Sequence, residues 1–267
     1  MKYVISFLFI ILFVASTEAQ VFKGIELIKP SIVCGTQNFS KPFTIGVKFA
    51  IAEGWHTYWK NPGDSGIPLD VETDSTSGFK LGEIQYPKPK KFASEESVSY
   101  GYEDSVVFLV RVIPPSANTS LPKFTVRLKW LVCKSSCIAG KADILFDPST
   151  LTVQELRSNK AIIDRWTARL PQPGIGFNLE NTNTTLTETK GGYTLKVEFA
   201  DMNPGTLTDF FPEVVDGFIV DYSRIELLPN GFILRVQFEE KSKRLEKIRG
   251  VAIIENQGYD ITIAVKQ

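Results

Sequence analysis

Two of the chain's three cysteines, Cys133 and Cys137, lie in the run Trp130-Leu131-Val132-Cys133-Lys134-Ser135-Ser136-Cys137. Thiols this close suit three chemistries: dithiol–disulfide exchange, a static bridge, or soft-metal binding. A disulfide needs its two Cα atoms within about 7 Å. On an extended strand, residues at this spacing lie roughly 13 Å apart, at about 3.3 Å each. The chain must therefore turn through Lys134-Ser135-Ser136 for the bridge to close, by one helical or turn-like revolution. So small a ring adds little stability, because the entropy removed from the unfolded chain grows with loop length. Exchange explains such a bridge better, and it requires an accessible sulfur and a thiolate. Lys134 and Lys141 are cations near in sequence that would favour the thiolate.

Two other uses of the same residues remain open. The bridge could be an ordinary tether. Alternatively, Cys34, Cys133, Cys137 and His56 could form a three-Cys, one-His set for zinc, or the thiolates could hold Cu(I). Those ligands are scattered along the chain, and Cys34, in Ile32-Val33-Cys34, reads as a buried strand residue. No metal site and no cofactor is therefore expected. Only one histidine is present, so multi-His metal sites and His-dependent triads are disfavoured.

The elements that must position the pair read as β-strands. The chain has 267 residues, 43% hydrophobic and 12% aromatic, enough to build a substantial core. Lys plus Arg and Asp plus Glu balance at 30 each, so no basic field invites nucleic acid or an anionic membrane. Residues 43–51 and 124–130 alternate in period two, and residues 106–113 form a more continuous apolar run, interrupted by Arg111, as in a strand buried on both faces. Asn61-Pro62-Gly63-Asp64-Ser65-Gly66, Ser77-Gly78 and Pro114-Pro115-Ser116 are turn signals. No convincing amphipathic helix precedes residue 150, and short strands at this spacing indicate a β-sandwich.

Two further stretches carry more than scaffold. In Gly54-Trp55-His56-Thr57-Tyr58-Trp59, a strand would put Trp55, Thr57 and Trp59 on one face and leave His56 and Tyr58 together on the other. The tryptophans suit a core. Residues 86–96, with Tyr100-Gly101-Tyr102-Glu103 after them, are rich in prolines and mixed charge and read as a loop. Phe92 is a lone apolar residue there, either tucked onto the domain or serving as a lid over a reactive site.

In order, Gly54-Trp55-His56-Thr57-Tyr58-Trp59-Lys60-Asn61-Pro62-Gly63-Asp64-Ser65-Gly66, Tyr100-Gly101-Tyr102-Glu103 and Trp130 to Cys137 resemble the N-terminal periplasmic domain of the thiol:disulfide interchange protein DsbD family. The likeness is strongest to the branch of bacterial membrane reductases found with suppressor-of-copper-sensitivity systems. It covers residues 25–147 well and continues more weakly to the end. It implies an immunoglobulin-like sandwich and a cysteine pair that cycles between dithiol and disulfide. It further implies that Cys137 forms the mixed disulfide, that His56 and Tyr58 lie beside the cysteines, and that Phe92 caps them. The implied partners are a thioredoxin-like or membrane thiol reductase as donor and exported thiol or disulfide proteins as acceptors. Ile138-Ala139 stands where a proline often follows the second cysteine. The family's membrane and thioredoxin-like domains have no counterpart in these residues, so either separate proteins supply the electrons or the domain has kept its fold and changed its task.

The expected organisation is all-β: two immunoglobulin-like β-sandwich domains joined by a short helix. Residues 1–19 read as a signal peptide, with Lys2, an apolar run over residues 3–15 and Thr17-Glu18-Ala19 before the cut. The mature chain is then periplasmic or otherwise exported, without stable membrane insertion. Residues 20–148 form the redox domain and 149–173 a helical connector. In that connector Val153, Leu156, Ile163, Trp166 and Leu170 recur near the helical period, and Thr152 with Glu155 forms a capping box. Residues 174–267 form a second sandwich, with Pro229-Asn230-Gly231 as a hairpin turn. Asp209-Phe210-Phe211-Pro212 reads as a loop whose aromatics are buried or contact a partner. Asn38, Asn118 and Asn183 each open an Asn-X-Ser/Thr triplet, meaningful only in a eukaryotic secretory host.

Overall fold

Phe43, Ile45, Val47, Phe49 and Ile51 alternate along one strand face, which directs them into a common core. In the computed structural model all five are buried. It describes residues 23–266 other than 75, 77, 96, 116–120, 175–181, 204 and 240–242. The expected signal segment and the Asn118 triplet thus lie outside the described residues. Among the described residues no helix is long and apolar enough to cross a membrane.

The first half comprises α1 (Gly24–Leu27), β1 (Ile28–Cys34), β2 (Phe43–Ile51), β3 (His56–Gly63), β4 (Asp70–Thr73), β5 (Lys80–Gln85), β6 (Lys90–Ala93), β7 (Val98–Glu103), β8 (Ser105–Ile113), β9 (Phe124–Cys133) and β10 (Cys137–Phe146). Its strands form two antiparallel sheets, one ordered β1-β2-β8-β5 and the other β10-β9-β3-β7-β6, with β4 also on β9. The core between them is built from Phe49, Phe108, Trp59, Tyr100, Leu128 and Trp130 with their neighbours.

Helix α2 (Val153–Thr167) follows, and its capping box forms: Thr152 N–H donates to Glu155 at 2.8 Å, and Glu155 N–H to the Thr152 hydroxyl at 3.2 Å. The helix is more than a connector, because it packs on the outer face of the first sheet. Ile162, Ile163, Trp166 and Leu170 cover Val33, Val107 and Leu109. This explains the apolar run Val106 to Val110 of β8, which has the core on one side and α2 on the other. Val153, at the first helical position, is 60% exposed and is not part of that face.

The second half comprises β11 (Gln172–Pro173), β12 (Thr182–Thr189), β13 (Gly192–Phe199), β14 (Leu207–Pro212), β15 (Phe218–Val220), β16 (Glu226–Leu228), β17 (Gly231–Phe238), β18 (Lys247–Ile254) and β19 (Gln257–Ala264). Its sheets run β11-β19-β18-β14 and β12-β13-β17-β15, with β16 also on β17. Pro229-Asn230 turns the chain from β16 into β17 as expected. Leu195, Val197, Phe210, Phe232, Ile261 and Ile263 belong to its separate core.

The two sandwiches meet at β3 and β14. Asp209 to Pro212 is strand rather than loop, and Phe211 enters the first core against Trp59 and Tyr100, at ring separations of 6.3 and 5.1 Å. The Asn61 amide donates to the Pro212 carbonyl at 2.7 Å and to the Tyr222 hydroxyl at 3.1 Å. Lys60 pairs with Glu213, and Lys91 with Asp209 at 3.1 Å. Strand β3 is therefore fixed at one end by the second sandwich while its other end carries His56 and Tyr58.

Candidate functional site

The turn required between the cysteines is a tight hairpin rather than a helical revolution. Strands β9 and β10 pair in register from Phe124–Phe146 to Cys133–Cys137. Lys134 N–H donates to the Ser136 carbonyl at 3.1 Å across the tip. This brings the two Cα atoms to 4.1 Å, and Cys133 and Cys137 are disulfide-bonded. The two are unequally exposed: Cys133 is 3% exposed, whereas Cys137 is on the solvent side.

Strand alternation then assembles one face. Thr57 and Trp59 point into the core, so His56 and Tyr58 point away from it. Val132 points into the core, so Cys133 shares the outer face. His56 is directly opposite Cys133 in the β3–β9 register. The Tyr58 hydroxyl lies 3.6 Å from Cys137 Sγ. The Thr57 hydroxyl donates to the Leu131 carbonyl at 3.0 Å and helps hold β3 to β9.

Phe92 stacks on His56, with centroids 4.5 Å apart and planes 15° from parallel, while Tyr58 meets His56 edge-on at 5.3 Å. Phe92 is not in a loop, since Lys90-Lys91-Phe92-Ala93 is the short edge strand β6 on β7. Lysines on a short edge strand discourage further strand pairing, and they also make such a segment look like loop by composition. Tyr100-Gly101-Tyr102-Glu103 is likewise strand, in β7. Gly101 is required there, because a Cβ would stand 1.8 Å from the Thr57 carbonyl oxygen.

Burial holds the His56 imidazole below its ordinary pKa, opposed by Glu103 across the β3–β7 register. Glu103 is itself paired with Lys90 at 2.5 Å. Burial pushes the Tyr58 phenol up, so it stays protonated and can donate toward Cys137. His56 Nε2 is buried without a hydrogen-bond partner.

Cys133, Cys137, His56, Tyr58 and Phe92 thus come from four strands, β3, β6, β9 and β10, to one patch. Lys134 is exposed, and its ammonium lies over Gly54 in the turn before β3. Lys141 is opposite Lys129, roughly 13 Å along the hairpin from Cys137 at about 3.3 Å per residue, too far to act on it. Cys34 is buried in β1 opposite Ile45, where burial pushes its thiol up. Among the described residues no group of three His, Cys, Asp or Glu is arranged to hold a metal ion. Three contributors were not singled out from sequence: Glu103, Lys90 and Gly66. A Cβ on Gly66 would fall 2.3 Å from the Tyr58 ring, at a φ of +125°. The glycine in Asn61-Pro62-Gly63-Asp64-Ser65-Gly66 was visible as a turn signal, but not as the lid on a tyrosine.

Residues 26–147 match the family model described as thiol:disulfide interchange protein DsbD, N-terminal. This stretch is a DsbD N-terminal domain. The wider chain shares the fold of the N-terminal periplasmic domain of ScsB from Proteus mirabilis, with a TM-score of 0.66 at 14% identity over 86% of this chain and 90% of that one. Coverage of that extent exceeds residues 26–147, so the likeness in fold takes in residues of the second sandwich. The DsbD N-terminal domain of Neisseria meningitidis in the reduced form aligns with 48% of this chain and 88% of its own, at 15% identity and a TM-score of 0.32. No curated protein matches the chain in sequence. The DsbD N-terminal domain seen here thus carries its disulfide at the tip of the β9–β10 hairpin, on the outer face of the sheet.

Proposed function

We propose that the chain is an exported thiol:disulfide exchange module that passes electrons through Cys133 and Cys137. The donor is a thioredoxin-like or membrane-linked thiol reductase, and the acceptors are exported thiol or disulfide proteins. The observation that carries this reading is the unequal exposure of the two sulfur-bearing residues at a hairpin tip. Cys137 faces solvent beside the Tyr58 hydroxyl, and Cys133 is 3% exposed. An incoming thiolate attacks Cys137 Sγ. The Cys133–Cys137 bond breaks, a bond from Cys137 to the partner forms, and Cys133 leaves as a thiolate. A second partner thiolate then releases Cys137, leaving the dithiol. Delivery to an acceptor disulfide runs the same steps in reverse. No cofactor is needed, because the electrons reside on sulfur.

In this reading Phe92 is the cap, stacked on His56 so that the dithiol does not meet the wrong oxidant. Residues 1–19 are removed on export, 20–148 are the redox domain, 149–173 the connector and 174–267 the second sandwich, which steadies β3 through Trp59, Lys60 and Asn61. The balanced charge and the lack of a basic field favour protein partners over nucleic acid.

Trapping tests the reading. Cys133→Ala leaves Cys137 without its resolving partner and is expected to accumulate a mixed disulfide with an exported thiol protein or a reductase, identified by non-reducing electrophoresis and mass spectrometry. Cys137→Ala is expected to trap far less. Equal, negligible trapping by both variants contradicts exchange.

A further inference from the structure

The half-buried histidine opposite Cys133, with its Nε2 buried, is not accounted for by the cap or by the attack on Cys137. We propose that His56 is the proton acceptor for Cys133 in the resolving step of exchange, and this rests on the exchange reading above.

The geometry begins with the register. His56 and Cys133 are direct cross-strand partners in an antiparallel pair. Such partners point to the same face, with Cβ atoms about 4.5–5.5 Å apart. The ring is held by Phe92 at 4.5 Å and by the Tyr58 edge at 5.3 Å. Its Nε2 is buried and unpartnered while the bridge is closed. A buried polar atom without a partner calls for an explanation. Reduction supplies one, because the freed Cys133 thiol is the donor that the oxidised state lacks.

The chemistry needs such an acceptor. In delivery, Cys137 is held in a mixed disulfide with the partner, and Cys133 must attack it. Cys133 is 3% exposed, and burial disfavours its thiolate. The thiol S–H proton moves to His56 Nε2. The Cys133 thiolate attacks Cys137 Sγ, the Cys133–Cys137 bond forms, and the Cys137–partner bond breaks. The partner leaves as a thiolate and takes up a proton, while the imidazolium returns its own to solvent. The pair loses two electrons and the partner gains them. Loading runs in reverse, with the imidazolium protonating the departing Cys133. Burial keeps the imidazole neutral at pH 7 and therefore able to accept. The groups facing it are Glu103, held by Lys90, on one side, Cys133 on the other, and Tyr58 and Phe92 against the ring. The solvent-facing Cys137 sulfur has a separate neighbour, the Tyr58 hydroxyl at 3.6 Å.

The test uses the reduced full chain and the chromogenic disulfide of nitrothiobenzoate in a stopped-flow instrument. The first coloured thiolate reports attack by Cys137, and the second reports ring closure by Cys133. In the wild type, the closure rate is expected to rise with pH through one ionisation below the thiol range and then level off. His56→Gln also removes the ring on which Phe92 stacks, so its first phase is expected to persist at a rate no slower than that of the wild type, while the ionisation is lost and closure at pH 7 slows on the order of 100-fold, the scale of general-base catalysis. Identical closure rates and pH profiles in the two proteins overturn the role of His56. If His56→Gln fails to fold, the wild-type profile decides: closure governed solely by an ionisation near a thiol's ordinary pKa, about 8.5, also overturns it. Absence of the first phase in the wild type overturns the exchange reading itself, and this inference with it.

Discussion

Reducing the Cys133–Cys137 bridge should cost the fold little. The bond closes a sequence separation of 4. In the chain-entropy model a ring of about five residues removes roughly 7 cal/mol/K from the unfolded ensemble, or about 2 kcal/mol at 25 °C, against about 4.7 kcal/mol for a 100-residue loop. The native hairpin does not depend on the bond for its shape, since β9 and β10 pair along their whole length and β9 is also paired to β3 and β4. By the thermodynamic cycle, folding favours the bridge by the same amount, roughly 45 mV at about 30 mV per 1.4 kcal/mol. The assay is urea unfolding of the oxidised protein and of the reduced, thiol-protected protein, compared at equal slope. The expected outcome is a midpoint difference worth about 2 kcal/mol or less, with both forms cooperative. A loss of about 5 kcal/mol, the upper end for structural bridges, or a reduced form that no longer folds would refute the reasoning.

Three substitutions probe the surroundings. Phe92→Ala removes a stack worth about 0.5–1.5 kcal/mol, so the reduced pair should react with a small disulfide roughly 2- to 12-fold faster in stopped flow; an unchanged rate means that Phe92 is not a cap. Gly66→Ala places a Cβ 2.3 Å from the Tyr58 ring at positive φ. It should cost about 1–3 kcal/mol in thermal unfolding and alter the near-ultraviolet circular dichroism of the tyrosine, whereas an unaltered Tm would contradict the packing described. Phe211→Ala empties the junction beside Trp59 and Tyr100 and should destabilise by about 3–5 kcal/mol in urea unfolding. A loss below about 1 kcal/mol would show that the sandwiches do not share that core.

Local rules written into the sequence account for much of this structure. Period-two runs gave β2 and β9, a Pro-Asn-Gly turn gave the β16–β17 corner, and Thr152 with Glu155 gave the start of α2. The close cysteines disclosed that the chain must turn, because a disulfide limits the Cα separation. What the sequence hid is tertiary. The stack of Phe92 on His56 joins β6 to β3, and no local period encodes which edge strand lies over which face. Strand β6 itself looked like loop, since its two lysines and flanking prolines describe an edge as readily as a turn. Helix α2 carries an apolar stripe whether it links two domains or covers a sheet, and the apolar outer face of β8 decided between them. Asp209 to Pro212 read as loop because its pairing partner, β18, lies far along the chain.

The central claim is that Cys133 and Cys137 exchange electrons, and an equilibrium redox titration with thiol trapping tests it most directly. The purified protein is poised in glutathione or dithiothreitol buffers, and its free thiols are alkylated and counted. The expected result is a two-electron transition of the pair within the range of thiol–disulfide exchange proteins, roughly −270 to −120 mV, with Cys137 alkylated faster than Cys133. A midpoint below about −300 mV, with both sulfurs unreactive, would instead mark the bridge as structural.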